Sequence, residues 1–141
     1  MLDKFFEKNR KYSSPLIRWG VGIVFFLFGI DQVRRPGAWE AYFPSALPFG
    51  MDLGRAIFLN GLFDLAIGAL LLIGFLTRLV ALIGALHLVG VIYYLGYGDI
   101  AIRDFGLLFG ALAVFFYGAD WLCLDRKIWK RASYDFERSE I

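Results

Sequence analysis

Long stretches without charge are the feature that most limits how this chain can fold. Residues 57–76 contain only Asn60 and Asp64 as strongly polar interruptions, and residues 79–97 are interrupted by His87. Each stretch is long enough to cross the hydrocarbon core of a bilayer as a helix. Hydrophobic residues make up 59% of the chain, above the roughly 45–50% of an average soluble domain. The pattern predicts a membrane protein and leaves no room for a soluble catalytic domain.

Two further apolar stretches complete the predicted bundle. The first covers residues 15–33 and the last covers residues 102–121. Since residues 74–78 are too few for anything but a tight turn, the helices on either side of them run antiparallel. We therefore predict an all-α, single-domain polytopic membrane protein with four transmembrane helices in an antiparallel bundle. Residues 31–55 form its outer loop and residues 122–141 its tail.

The distribution of lysine and arginine predicts the orientation of the bundle. If the N-terminus, the 74–78 turn and the tail share one side, that side carries eleven Lys and Arg, and the other side carries four. The positive-inside rule then places both termini in the cytoplasm. The formal net charge of +2 is too small for a nucleic-acid-binding protein. The bilayer is the partner that this pattern indicates.

The chain offers few groups for redox or metal chemistry. Cys123 is its single cysteine and His87 its single histidine. A CxxC pair, an intrachain disulfide, haem ligation by two histidines and a multi-histidine metal site are therefore excluded within this chain. No flavin, metal or nucleotide motif is present, and neither is a GxSxG motif. Any redox centre would have to come from a partner.

Polar side chains inside the predicted spans are the candidates for a functional site. Asn60 and Asp64 are four residues apart and therefore share one helix face. A carboxylate at that depth costs at least about 2.5 kcal/mol unless it finds a partner, water or a proton. His87 is either a structural hydrogen-bond partner or a proton carrier and ligand contact. Asp64 and His87 are the candidate proton-transfer residues.

The outer half of the bundle collects the remaining polar residues. Arg103 either forms a structural pair with an acidic residue (Asp104, Asp64 or Asp31) or anchors a substrate. We expect Asp64 to line a polar pocket that opens toward the outer side. The candidate ligand-binding residues are Asn60, Tyr93, Tyr94, Arg103, Asp104 and Asp31.

Further expectations concern the helix ends and the helix contacts. Arg18 should extend its charge toward the headgroups. The acidic residues at the ends of spans should be solvated, namely Asp99, Asp120 and Asp125. Gly106 and Gly110 form a GxxxG motif, which lets helices approach closely in lipid. Both glycines are expected to face another helix.

Two segments of the chain resemble the DoxX family. They are Asn60-Gly61-Leu62-Phe63-Asp64, continued by Gly68 and by residues 71–81, and residues 103–108, followed by Gly118 and residues 124–125. The resemblance implies a small four-helix protein of the prokaryotic inner membrane. It also implies an oxidoreductase system, because members that resemble DoxX and DoxD are associated with a membrane thiosulfate:quinone oxidoreductase and with oxidative-stress complexes.

Two hypotheses of function follow. The first is a DoxX-like subunit of an oxidoreductase system that binds a quinone, in which His87 bonds a quinone oxygen and Asp64 accepts a released proton. A protein partner or a second copy of the chain would complete the assembly, and a partner would deliver the electrons. The second is a non-catalytic membrane scaffold or assembly subunit, or a small-solute carrier. No inverted repeat of the transporter kind is evident, so the scaffold is the simpler form of the second hypothesis.

The predicted orientation can be tested by cysteine labelling. In a background that carries Cys123→Ser, we expect Ser45→Cys in intact cells to react with a membrane-impermeant maleimide. Ser133→Cys in the tail is the control and should react only after the cells are permeabilised. Labelling of position 45 from the cytoplasmic side alone would overturn this orientation.

Overall fold

The described chain forms helices and the turns between them. A computed structural model describes residues 2–44 and 50–128, and all regular secondary structure in those ranges is helical. A short helix, α1 (Leu2–Asn9), leads through a 3₁₀ turn into the first long helix. The four long helices are α2 (Ser13–Arg34), α3 (Leu53–Ile73), α4 (Thr77–Leu95) and α5 (Asp99–Tyr117).

All four long helices are long and apolar enough to cross a membrane. A window of 18 residues in each span has a mean hydropathy between 1.6 and 2.2, and the first span is counted from Phe6 to Arg34, so that it includes the residues just before α2. The all-α class with four transmembrane helices is thereby confirmed, and the outward side chains of these helices contact the lipid bilayer. Residues 129–141 of the tail and residues 45–49 of the loop lie outside the described residues.

Local signals set the helix ends, and two of the ends lie four residues from the expected positions. α3 begins at Leu53 rather than at residue 57, because the carboxylate of Asp52 accepts a 3.0 Å hydrogen bond from the backbone N–H of Arg55 and caps the helix. α5 ends at Tyr117 rather than near residue 121. Gly118 follows it with a φ of 82°, which takes the chain out of the helix.

The two ends of the bundle are built differently. The turn end contains the start of α2, the turn at residues 74–76 and the residues that follow α5. The loop end contains the connection from α2 to α3, with its 3₁₀ turn over Pro36–Tyr42, and the turn between α4 and α5. α2 packs closely against α3, α4 packs closely against α5, and α2 also contacts α5.

Glycines bring α2 and α3 into backbone contact. A Cβ atom on Gly29 would overlap the backbone of Leu65, and one on Gly68 would overlap the backbone of Phe26. In lipid, where the hydrophobic effect does not drive helices together, such close approach is what gives two helices their van der Waals contact. The two helices therefore form one closely packed pair.

The GxxxG motif of α5 is used by only one of its glycines. A Cβ on Gly110 would lie 2.8 Å from the side chain of Val21 on α2, so the expectation for Gly110 is confirmed. A Cβ on Gly106 would meet no described atom within 4 Å. The expectation for Gly106 is wrong, because this residue is exposed and no neighbouring helix comes close to it.

Arg18 closes the turn end from inside the bundle. It is 1% exposed, and its Nε lies 2.8 Å from Oδ2 of Asp120, which is equally buried. The guanidinium also donates to the backbone carbonyls of Leu71 and Leu72. The expectations that Arg18 reaches the headgroups and that Asp120 is solvated are both wrong. The charge is stabilised by a buried counter-charge and by carbonyl acceptors at the end of α3.

Asp125 and Cys123 complete the turn end. The Asp125 carboxylate accepts 2.7 Å hydrogen bonds from the backbone N–H groups of Leu76 and Thr77 and so caps α4. It is thus a structural residue rather than a solvated one, whereas Asp99 is exposed as expected. Cys123 is fully buried, and this burial raises the pKa of its thiol. The thiol is therefore a neutral packing group at neutral pH.

Breaking the Arg18–Asp120 pair should destabilise the bundle strongly. Asp120→Ala leaves a guanidinium buried without its counter-charge, and we expect a loss of about 3–5 kcal/mol in the free energy of unfolding. Arg35→Ala is the matched control, because it breaks an ion pair with Asp31 in which the arginine side chain is 72% exposed. Denaturation midpoints in detergent provide the measurement. Equal midpoints for the two variants would contradict a structural role for the buried pair.

The two glycines of the GxxxG motif should respond differently to the same substitution. Gly110→Leu forces a side chain against Val21, and we expect overpacking to cost roughly 1–3 kcal/mol. Gly106→Leu adds the same side chain where no described atom is close. Thermal unfolding in detergent should show a lower midpoint for Gly110→Leu alone. A similar fall for both variants would mean that Gly106 is also at a helix contact.

Candidate functional site

Polar side chains from all four long helices meet around a cavity of about 340 Å³ at the loop end. The polar residues are Gln32 of α2, Asn60 and Asp64 of α3, His87 of α4, and Arg103 and Asp104 of α5. Aromatic side chains form much of the remaining wall, among them Phe25, Phe28, Trp39, Tyr42 and Tyr94. A largely apolar cavity with a few converging polar groups is how small-molecule sites are usually built.

Asp64 lies at the centre of the polar group. It is 5% exposed, and its Oδ2 accepts hydrogen bonds from Gln32 Nε2 at 3.0 Å and from Asn60 Nδ2 at 3.2 Å. Asn60 also donates to Gln32 Oε1 at 2.8 Å. The i, i+4 spacing on α3 places Asn60 and Asp64 on one face. The close α2–α3 packing brings Gln32 to the same face.

The second carboxylate oxygen of Asp64 is differently placed. His87 Nε2 lies 3.2 Å from Oδ1, within ion-pair distance. The contact does not have hydrogen-bond geometry, however, and Oδ1 is buried without a hydrogen bond to any residue that the structure describes. The His87 ring is held beside the rings of Phe25 and Phe63, with centroids 6.3 Å and 5.1 Å away. Asp64 and His87 therefore leave one strong acceptor available to a ligand.

Arg103 and Asp104 form the second polar group of the cavity. Arg103 donates to Oδ1 of Asp104 from Nε at 3.0 Å and from Nη2 at 2.8 Å, and its guanidinium lies 4.6 Å from the centre of the Phe28 ring. Of the three acidic residues named as possible partners of Arg103, Asp104 is the one that pairs with it. Asp31 pairs with Arg35 instead and accepts a 2.9 Å hydrogen bond from the indole N–H of Trp39.

The cavity brings together most, but not all, of the residues selected from the sequence. Asp31 supports the wall through Trp39, and Tyr93 is 90% exposed and lies outside the lining. Gln32 and Trp39 also line the cavity, and neither is among the candidates named from the sequence. Gln32 has a signal in the sequence, since it is a polar residue beside Asp31 at the end of the first span. Trp39 has none, because its place depends on how the 3₁₀ turn folds over the bundle. The cavity is lined by Asn60, Asp64, His87, Tyr94, Arg103 and Asp104.

The donor set of the cavity does not favour a metal ion. Within residues 2–44 and 50–128, no group of three or more His, Cys, Asp and Glu side chains is arranged to hold one. Asp104 is already engaged by Arg103, and two amides occupy Oδ2 of Asp64. The group left over is Oδ1 of Asp64, which can accept a hydrogen bond or a proton.

Comparison with known proteins establishes the family. No curated protein and no solved structure matches the chain significantly. The sequence does match the DoxX family over residues 14–96, a range that covers α2 from its second residue and all of α3 and α4, and with them Asp64 and His87. Because this range is more than half of the 141 residues, the chain belongs to the DoxX family.

Proposed function

We propose that the cavity binds a quinone headgroup and that the chain is a membrane subunit of an oxidoreductase system. The observation that carries the proposal is the buried, unbonded Oδ1 of Asp64 next to His87. An acceptor in that state favours a ligand that brings a hydrogen-bond donor. A quinol hydroxyl is such a donor, on a flat and uncharged ring that matches the aromatic walls.

The size and the setting of the cavity support the same ligand. Its volume of about 340 Å³ is at the low end of the roughly 300–1,000 Å³ typical of small-molecule pockets. It lies among helices that are apolar enough to span a membrane, and quinones dissolve in that phase. A charged, water-soluble ligand would lose its hydration on reaching this depth.

Asp64 and His87 supply the proton chemistry that a quinone needs. Oxidation of a quinol to a quinone releases two protons and two electrons, and reduction takes up the same number. Asp64 Oδ1 accepts one hydroxyl proton and the His87 imidazole accepts the other, both within a group of fixed side chains. The two electrons pass to or from a redox-active partner protein, which is the second element of the proposal.

Binding of a decyl-substituted benzoquinol to the protein in lipid nanodiscs tests the proposal. We expect saturable quenching of tryptophan fluorescence, since Trp39 lines the cavity. Asp64→Asn keeps the size of the side chain but removes the negative charge, and we expect it to weaken quinol binding by tenfold or more, as for loss of a hydrogen bond worth about 1.5–3 kcal/mol. Asp99→Asn is the matched control, because Asp99 is an exposed residue at the start of α5.

Two results would count against the proposal. Absence of saturable binding by the unaltered protein, for both the quinone and the quinol, would remove the oxidoreductase role and favour the scaffold hypothesis. Equal affinities for Asp64→Asn and Asp99→Asn would show that the ligand binds away from Asp64. The unfolding midpoint of each variant should be measured in parallel, so that a loss of binding is not a loss of fold.

A further inference from the structure

One face of α4 is at the same time a wall of the cavity and part of the outer surface of the bundle. Leu86, Gly90 and Tyr94 are spaced four residues apart, so they form one stripe along the helix. All three line the cavity. All three are also exposed, with Leu86 at 63%. The cavity is therefore open sideways along this stripe.

The sideways opening lies at the depth of the acyl chains. Leu86 is nine residues from Thr77 and nine residues from Leu95, the two ends of α4. At 1.5 Å per residue it is about 13.5 Å from either end of the helix, which is near the middle of a hydrocarbon core about 30 Å thick. What faces the opening in a membrane is hydrocarbon, not water.

Gly90 keeps this opening wide. A Cβ at this position would meet no described atom within 4 Å, in contrast to Gly29, Gly68 and Gly110, which neighbouring helices contact. A glycine within a helix costs roughly 0.5–1 kcal/mol relative to alanine. Helix packing does not require this glycine. Its effect is to leave a notch in the wall of the cavity.

The loop end of the cavity is lined by aromatic residues of the 3₁₀ turn and the residues after it. Trp39, Tyr42 and Phe43 border the cavity on that side. Trp39 is held by its hydrogen bond to Asp31 and by an edge-on contact with Phe28, whose ring centre is 5.2 Å away. Bulky side chains therefore cover the approach from the loop end, and the glycine notch marks the approach from the bilayer.

We propose that the ligand reaches the cavity sideways from the bilayer and that its hydrocarbon tail lies across Gly90 when its headgroup is bound. The ligand class is then a tailed amphiphile, and Gly90 is the residue that determines acceptance of the tail. This inference rests on the proposed quinone-binding function. The aliphatic side chain of Leu86 and the ring of Tyr94 border the tail on either side of the notch.

Two benzoquinols separate the tail from the headgroup in a test. One is 2,3-dimethoxy-5-methyl-benzoquinol, and the other is the same ring with a decyl tail. In nanodiscs, Gly90→Leu should weaken binding of the tailed quinol by tenfold or more and leave any binding of the tailless quinol within twofold of the unaltered protein. Gly106→Leu is the matched control, since a Cβ there is equally free of close neighbours and the residue does not line the cavity. It should bind both ligands as the unaltered protein does.

Leu86→Trp is a second variant for the case that Gly90→Leu does not fold, since it fills the same notch from an exposed position. It should weaken binding of the tailed quinol and leave binding of the tailless quinol unchanged. Unchanged affinity of both notch variants for the tailed quinol would overturn the inference while the proposed function stands. Equal losses for the tailed and the tailless quinol would also overturn it, since the leucine would then be blocking the headgroup. If the unaltered protein binds neither quinol, the proposed function itself fails and the inference fails with it.

Discussion

Compensation of charge inside the hydrocarbon layer is the constraint on which the rest of this structure depends. Each ionisable group placed in a span must find a partner, water or a proton. At the turn end this is achieved completely, since the Arg18 guanidinium is shared between Asp120 and the carbonyls at the end of α3. At the loop end it is incomplete, because one oxygen of Asp64 has no hydrogen bond among the described residues. The buried charge is thus fully paired at the turn end, whereas the loop end keeps one carboxylate oxygen without a hydrogen bond among the described residues.

This asymmetry follows from how the helices pair. Glycines hold α2 against α3 along their length, and α4 packs mainly against α5. The pairs are joined tightly at the turn end by Arg18 and by the Asp125 cap. At the loop end they are separated by the cavity. A fixed end and a divergent end together produce a pocket without any break in the helices, so the backbone groups remain hydrogen-bonded within each span.

The same arrangement explains why one cavity combines polar and apolar character. Asp64 and His87 come from different pairs and meet across the gap, while the lipid-facing stripe on α4 forms its side wall. A ligand with a hydrogen-bonding head and a hydrocarbon tail matches both parts. The proposed function and the proposed sideways access therefore rest on separate features, namely the unbonded Oδ1 of Asp64 and the notch at Gly90.

The sequence by itself determined the class of fold. Helices that cross a membrane satisfy their own backbone, so runs of about 20 apolar residues are sufficient to predict four spans. It also singled out Asp64, Asn60 and His87 as candidates for a polar site, because a polar side chain within an apolar span is costly unless it has a partner. All three line the cavity. The sequence did not predict the surroundings of side chains that contact distant segments of the chain. Arg18 and Asp120 are 102 residues apart and each is near the end of a span, where exposure is the natural expectation. Gly90 and Gly106 cannot be told apart by sequence, since each is a glycine within an apolar helix. The packing of α4 and α5 decides that Gly90 borders the cavity and Gly106 does not. The reason is that contacts between helices depend on how each helix is rotated about its axis.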